Sequence, residues 1–425
     1  MASSMSSTAA ASPSSASISL LTVRTLRAER LIFAKFASVE EVVRSQVFSQ
    51  AQEIREVAWN VRLRLAPSNA SSLDDLKALF VERKGAVVRS WAVRHTMALM
   101  HHEDVGLAAA ALGCAARFNG SLKTWTGTRT TPAPPDETLQ RAAKALKEFV
   151  ASSSAPVTGA AIVEHLARTV DAKFRRVWST DVTAYAGLVH RAVAKGDAIL
   201  TGKVGAVNTF GSVALHCRTP PATIPDADSV LRSLSLRFVE RYGPVTMPDV
   251  QKFTGFGKLS ELTAIFDDAV LKGEIVELSV AGRPHWCTPA VAAVLHERQS
   301  EGEPSNQARL DAMPVCLLPA FDAFTIAFED KSFFFTPTAW NGDGRVQSKV
   351  WAGSAIVRAV VFFRGFLVGH FKWSVADDSL DLAIELWPPL NTDGALMRAI
   401  EAHANEIAPW FGVSSATCKF DSSDE

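Results

Sequence analysis

The chain lacks the marks of several common protein classes. Its five cysteines, Cys114, Cys217, Cys287, Cys316 and Cys418, show no CxxC spacing. That argues against a zinc site or a disulfide framework and fits buried thiols in a reducing compartment. No uninterrupted apolar run reaches the ~18 residues a membrane span needs. No basic head followed by an apolar stretch reads as a secretory signal. Net charge is missing as well, since 44 Lys and Arg balance 44 Asp and Glu.

What is present is a globular composition, 48% hydrophobic over 425 residues, enough for roughly three compact units. The neutral total hides an uneven distribution. Residues 1–224 carry 27 Lys and Arg against 17 Asp and Glu, and residues 225–425 carry 17 against 27. A basic N-terminal half suits a phosphate backbone, although solvated faces also vary in charge. The first 19 residues, mostly Ser and Ala, read as a disordered tail. A mitochondrial transit peptide is the less favoured alternative, because Arg24, Arg27 and Arg30 already sit in a helical pattern.

The periodicity gives an α+β chain of several units. The first, 20–131, opens with a helix near Thr22–Phe33, followed by a capping box at Ser38 and Glu41. Gln50-Ala51-Gln52 comes next, then a helix carrying Ile54, Val57, Ala58 and Val61, a helix from Ser72, and paired strands over Ala86–Met100. The second unit, 136–219, reads as helices Leu139–Val150, Thr158–Leu166 and Thr183–Lys195 with a strand at Ala198–Val204. The third, 226–298, repeats the order of three helices and a hairpin most clearly, with Thr246 as a cap and Gly282 as a turn. Three helices followed by a hairpin describe a winged helix, a module that often lays a helix in a DNA groove and is also used for protein contacts. Residues 299–309 read as a polar linker, 310–413 as a small C-terminal β-barrel-like domain, and 414–425 as a tail.

These elements and their motifs resemble the AlkZ-like family of winged-helix DNA glycosylases, in its Gln-x-Gln branch. The matching residues are Leu21-Thr22-Val23-Arg24, Ser49-Gln50-Ala51-Gln52, the run Arg89-Ser90-Trp91-Ala92-Val93-Arg94-His95-Thr96, Leu317-Leu318-Pro319-Ala320-Phe321-Asp322, and Asp330-Lys331. The resemblance spans about residues 20 to 413. It implies tandem winged helices around DNA with a C-terminal barrel, and excision of alkylated purines, including the unhooking of interstrand crosslinks. Gln50 and Gln52 fall on the family's two catalytic positions.

Two amides suit such a reaction only under one condition. A glutamine is not a general base, because its side chain is neutral and its carbonyl weakly basic. A purine alkylated at N7 is already cationic, however, so its departure needs no protonation. What remains is to hold a water at the anomeric carbon and to favour oxocarbenium character in the sugar. The alternative roles for Gln50 and Gln52 are helix capping or phosphate contact. Glu53 and Glu56 are alternative water-activating groups, or simply solvated carboxylates.

Arg89, Arg94, Arg175, Arg176 and Lys203 are candidate DNA contacts, with Trp91 read as core and Asp322 as a residue that orients the C-terminal domain. Adjacent His101 and His102 should point apart and, with His95, Glu103 and Asp104 nearby, make a poor metal site. The expected protein is a monomeric, intracellular, monofunctional glycosylase in base excision repair. It would act on double-stranded DNA without metal, cofactor or membrane. The competing expectation is a non-catalytic winged-helix DNA-binding or regulatory protein.

Overall fold

A computed structural model describes residues 17–69, 71–82, 84–118, 127–128, 131–132, 135–175, 182–204, 207–336, 345–353 and 356–421. Arg176 lies outside the described residues.

Polar caps start most of the helices. Ser19 accepts from Thr22 N–H at the head of Leu20–Ala28, which widens into a π turn over Glu29–Phe33. Ser38 accepts from Glu41 N–H to open Val39–Ser45, while the Glu41 carboxylate reaches back to Ala37 N–H rather than to Ser38. Full capping boxes close at Ser72 and Asp75, and at Thr246 and Asp249. Each such cap satisfies amides that the helix cannot pair internally, contributing about 1 kcal/mol.

One six-stranded sheet draws on both of the first two segments of the chain. Its order is Ser49–Gln50, Met97–His101, Val87–Trp91, Ala198–Val204, Val207–Ser212 and Val157–Thr158. Helix Val105–Phe118 lies against it and is followed later by Asp136–Ser152, Gly159–Thr169 and Val182–Ala194. Further on, Ala227–Tyr242, Met247–Thr254 and Leu259–Leu271 precede the hairpin Val276–Val280 and Arg283–Cys287.

Several expectations need correction. The stretch 299–309 is no linker: helix Pro289–Glu301 runs into it and Glu303–Asp311 follows, packed on Leu20–Ala28. Its polar residues are used internally. Buried Asn306 donates to the Arg298 and Gly302 carbonyls, and Leu310 is buried beside it. The C-terminal strands Cys316–Leu318, Ala359–Phe363, Phe366–Ala376, Ser379–Leu386 and Ser415–Asp421 form an open sheet in that order. Among the described residues there is no closed barrel, because Cys316–Leu318 and Ser415–Asp421 stand at opposite edges. Residues read as a tail thus supply an edge strand, parallel to Ser379–Leu386 after helix Gly394–Ile407. Ile18, also assigned to a tail, is buried and bridges to Val280.

Helix Ile54–Arg64 is central. Its residues from Val57 to Arg64 are all buried, and Trp59 meets Phe371, Trp373 and Phe411 at ring separations of 5.7, 5.7 and 5.1 Å. That aromatic cluster fixes the helix to the C-terminal sheet. Among the described residues no helix is long and apolar enough to cross a membrane.

Candidate active site

The Gln-x-Gln segment leaves helix Val39–Ser45 through Val47, at a φ of 60°, and becomes the edge strand Ser49–Gln50. Gln50 pairs with Ala98 across the sheet. Ala51 is fully buried and held on both sides. Its N–H donates to Met97 O at 2.7 Å, and its carbonyl accepts from Arg89 Nε at 3.0 Å. In an extended segment, residues two apart point the same way. Anchoring Ala51 inward therefore sends both Gln50 and Gln52 to the other side, where they line a cleft of about 620 Å³.

A buried polar chain fixes the base of this segment. Ser49 Oγ bonds Gln46 Oε1, Gln46 Nε2 donates to Asn60 Oδ1 at 2.6 Å, and Asn60 Nδ2 donates to Asp322 Oδ2 at 2.9 Å. Arg64 grips both oxygens of Asp322 at 2.9 Å, and Tyr242 donates to Gln46 O at 2.9 Å. Asp322 also caps Phe324 N–H. Its neighbour Phe321, at a φ of 59°, lines the cleft. The Leu-Pro-x-Phe-Asp segment thus joins the cleft wall to the helix behind the glutamines.

Gln52 Oε1 is buried and, among the described residues, accepts no hydrogen bond. An amide oxygen out of water without a donor costs roughly 1–3 kcal/mol, so such an atom needs a reason. Arg94 lines the same cleft at a φ of 57°, and its Nε is also buried without an acceptor among the described residues. Burial pushes the Arg94 guanidinium below its ordinary pKa.

Sequence reasoning missed Lys252, Glu329 and Lys331, which line the cleft too. Lys331 lay inside one of the matching segments, but nothing local showed that it faced the glutamines. Its Nζ donates to Thr325 O at 3.1 Å and Phe328 O at 2.6 Å and lies 4.5 Å from the Trp351 ring. Burial first, and then the neighbouring Lys252 ammonium, bring its pKa down to about 6.

The other candidates separate. Arg89, expected at DNA, is instead 1% exposed beneath the motif, donating to Ala51 and to Asn208 Oδ1 at 3.2 Å. Trp91 packs on Phe210 and His190, away from the cleft. Arg175 forms a two-pronged pair with Glu164, at 2.7 and 3.0 Å, on the surface. Lys203 is exposed on the Ala198–Val204 strand beside exposed Val204. Glu53 is exposed and does not line the cleft. Glu56, expected in solvent or at the water, accepts from Trp373 Nε1 at 2.9 Å and Ala320 N at 2.8 Å; burial raises its pKa. It ties helix to sheet. Asp322 is fully buried in its pair with Arg64.

His101 and His102 do not diverge. Their rings lie 4.2 Å apart, and with Glu103 their ligand atoms fall within 4.8 Å. The Arg44 guanidinium, 3.1 Å from His101 Nε2 and 2.8 Å from Glu103, already supplies a positive charge there. That arrangement opposes a second cation.

A family-model match over most of the chain places the protein in a class of DNA-acting enzymes. The chain belongs to the AlkZ-like DNA glycosylase family, whose model, described as "DNA glycosylase AlkZ-like", matches residues 43–410. A solved structure, Streptomyces sahachiroi DNA glycosylase AlkZ, covers 96% of this chain and 100% of its own length, at a TM-score of 0.72 and 18% identity. At that identity the likeness is one of fold. No curated protein matches the chain.

Proposed function

We propose that the protein is a monofunctional DNA repair glycosylase that hydrolyses the N-glycosidic bond of N7-alkylated purines. The buried, unpartnered Gln52 Oε1 beside Gln50 carries the reading. An acceptor of this kind suits a water whose proton it takes in a hydrogen bond while the oxygen faces the sugar. Two amide oxygens also direct negative dipole at the oxocarbenium-like carbon, and a cationic leaving group spares the site an acid. A cleft of about 620 Å³ has room for an extruded nucleotide, being within the usual range of ligand sites. We read 20–131, 136–219 and 226–298 as winged-helix units, and interstrand crosslinks as a further substrate.

The test is to incubate the protein in excess with DNA containing N7-methylguanine, and with a bulkier N7 adduct, and to measure free base. Release from either is the expected result, and release from neither rejects the proposed activity. Gln50→Ala and Gln52→Ala should each slow release by about 10²-fold, as when one preorganised polar group is removed from an active site. An unchanged rate removes that glutamine from the reaction.

A further inference from the structure

The cleft beside Gln50 and Gln52 holds more positive charge than its proposed chemistry can use. Arg94 and Lys252 face a single carboxylate, Glu329, among its lining residues. A sugar passing through an oxocarbenium-like state gains positive charge, and uncompensated cations nearby would raise its energy. The arrangement makes sense if the substrate brings the compensating anion.

We propose that Arg94 and Lys252, backed by Lys331, form the subsite for the phosphodiester adjoining the extruded nucleotide. This rests on the glycosylase reading above and adds the group that holds the target strand. Three observations carry it. Lys252, on helix Met247–Thr254, pairs with Glu329 at 2.9 Å and donates to Phe328 O at 3.1 Å, so its ammonium is held at the cleft with a carboxylate partner that an arriving anion can replace. Lys331 donates to that same Phe328 carbonyl, so it stands beside Lys252 and fixes the backbone against which the Lys252 ammonium is held. Arg94 keeps a buried Nε without an acceptor among the described residues, at a strained backbone position.

The backbone explains how Arg94 is aimed. Helix Met247–Thr254 ends at Gly255, at a φ of 69°, and a Cβ there would come within 2.5 Å of Arg94 Cγ. Only a glycine lets the arginine stem lie across the helix end, which brings Arg94 and Lys252 to one cavity from two elements. Glu329 is the resident counter-charge of Lys252, and an arriving phosphate displaces it.

The experiment measures affinity for a duplex containing a tetrahydrofuran abasic-site analogue across a range of salt concentrations. Lys252→Met and Arg94→Met should each weaken binding and lower the slope of log affinity against log salt by about one, the signature of one lost phosphate contact. Glu329→Gln should tighten binding, because it removes the competitor and leaves the shape. A Lys252→Met slope equal to that of the unsubstituted protein, or weaker binding by Glu329→Gln, overturns the subsite. If Arg94→Met does not fold, the other two variants, whose side chains reach solvent, still decide. The binding arm needs no catalysis. Altered slopes without base release would keep the subsite and reject the glycosylase reading, whereas base release with unaltered slopes would do the reverse.

Discussion

At the scale of single residues, position outweighs charge. Arg89 and Arg94 leave neighbouring parts of one chain segment, yet Arg89 is buried under the motif and Arg94 opens on the cleft. Arg89 Nε is the donor to Ala51 O, so it acts by holding the backbone between the two glutamines. Arg89→Met should leave the salt slope of DNA binding unchanged while slowing base release by an order of magnitude or more, because the freed carbonyl lets the loop drift. A reduced slope with normal turnover would return Arg89 to the DNA interface. The family resemblance singled out the glutamine pair, and its i, i+2 spacing is the local fact behind both residues lining one cleft. The burial of Arg89 was not legible in the sequence. Strand alternation assigns it a face, but only long-range pairing determines that this face lies under Ala51. Glu56 illustrates the same limit, its partners Ala320 and Trp373 being far along the chain.

At the scale of elements, what carried a local signal was legible. Periodicity announced the helix at 20, and caps and turns those at 39, 73 and 247 and the hairpin around Gly282. Helix Val105–Phe118 went unread because its sequence, VGLAAAALGCAARF, is apolar on nearly every face and has no amphipathic period to detect. Glu303–Asp311 was hidden by the opposite fault, a polar sequence in which buried Asn306 bonds backbone carbonyls. The open C-terminal sheet was misread as a barrel because closure is a matter of edge pairing, which no single strand encodes. Helix Ile54–Arg64 is also tied to the C-terminal region by the buried pair of Arg64 and Asp322, whose side chains are 3% and 0% exposed. Asp322→Ala should lower stability by about 3–5 kcal/mol, because it strands a buried guanidinium. Replacing both partners, Arg64→Met with Asp322→Leu, should recover part of that loss in a denaturant titration. Single and double variants of equal stability would mean that the charge of Arg64 is accommodated without Asp322.

At the scale of the whole molecule, six of the ten histidines share a habit. Burial lowers the pKa of His95, His101, His165, His190, His285 and His370, with His190 brought down to about 4 by desolvation and then by His95. His190 lies 4.3 Å from the Trp91 ring, where helix Val182–Ala194 meets the six-stranded sheet. A base whose folded pKa lies below its unfolded value is held neutral by the native state and takes up a proton on unfolding. Between pH 6.5 and about 4 the unfolded chain therefore binds more protons, and stability falls as pH falls. Glu56, with a raised pKa, works in the other direction. His190 sets the largest single share, up to about 3 kcal/mol by pH 4 if its whole displacement is realised. The urea midpoint should thus decline steadily from pH 6.5 to 4.5, and His190→Phe, which keeps a ring beside Trp91, should flatten that decline. An unchanged pH profile in His190→Phe would place the acid sensitivity elsewhere. Because the native fold holds these histidines neutral over that range, they add no charge to the folded protein's DNA surface, and DNA affinity should be less sensitive to pH than the urea midpoint. Measuring stability and binding on one sample then separates a titration within the fold from one at the DNA surface.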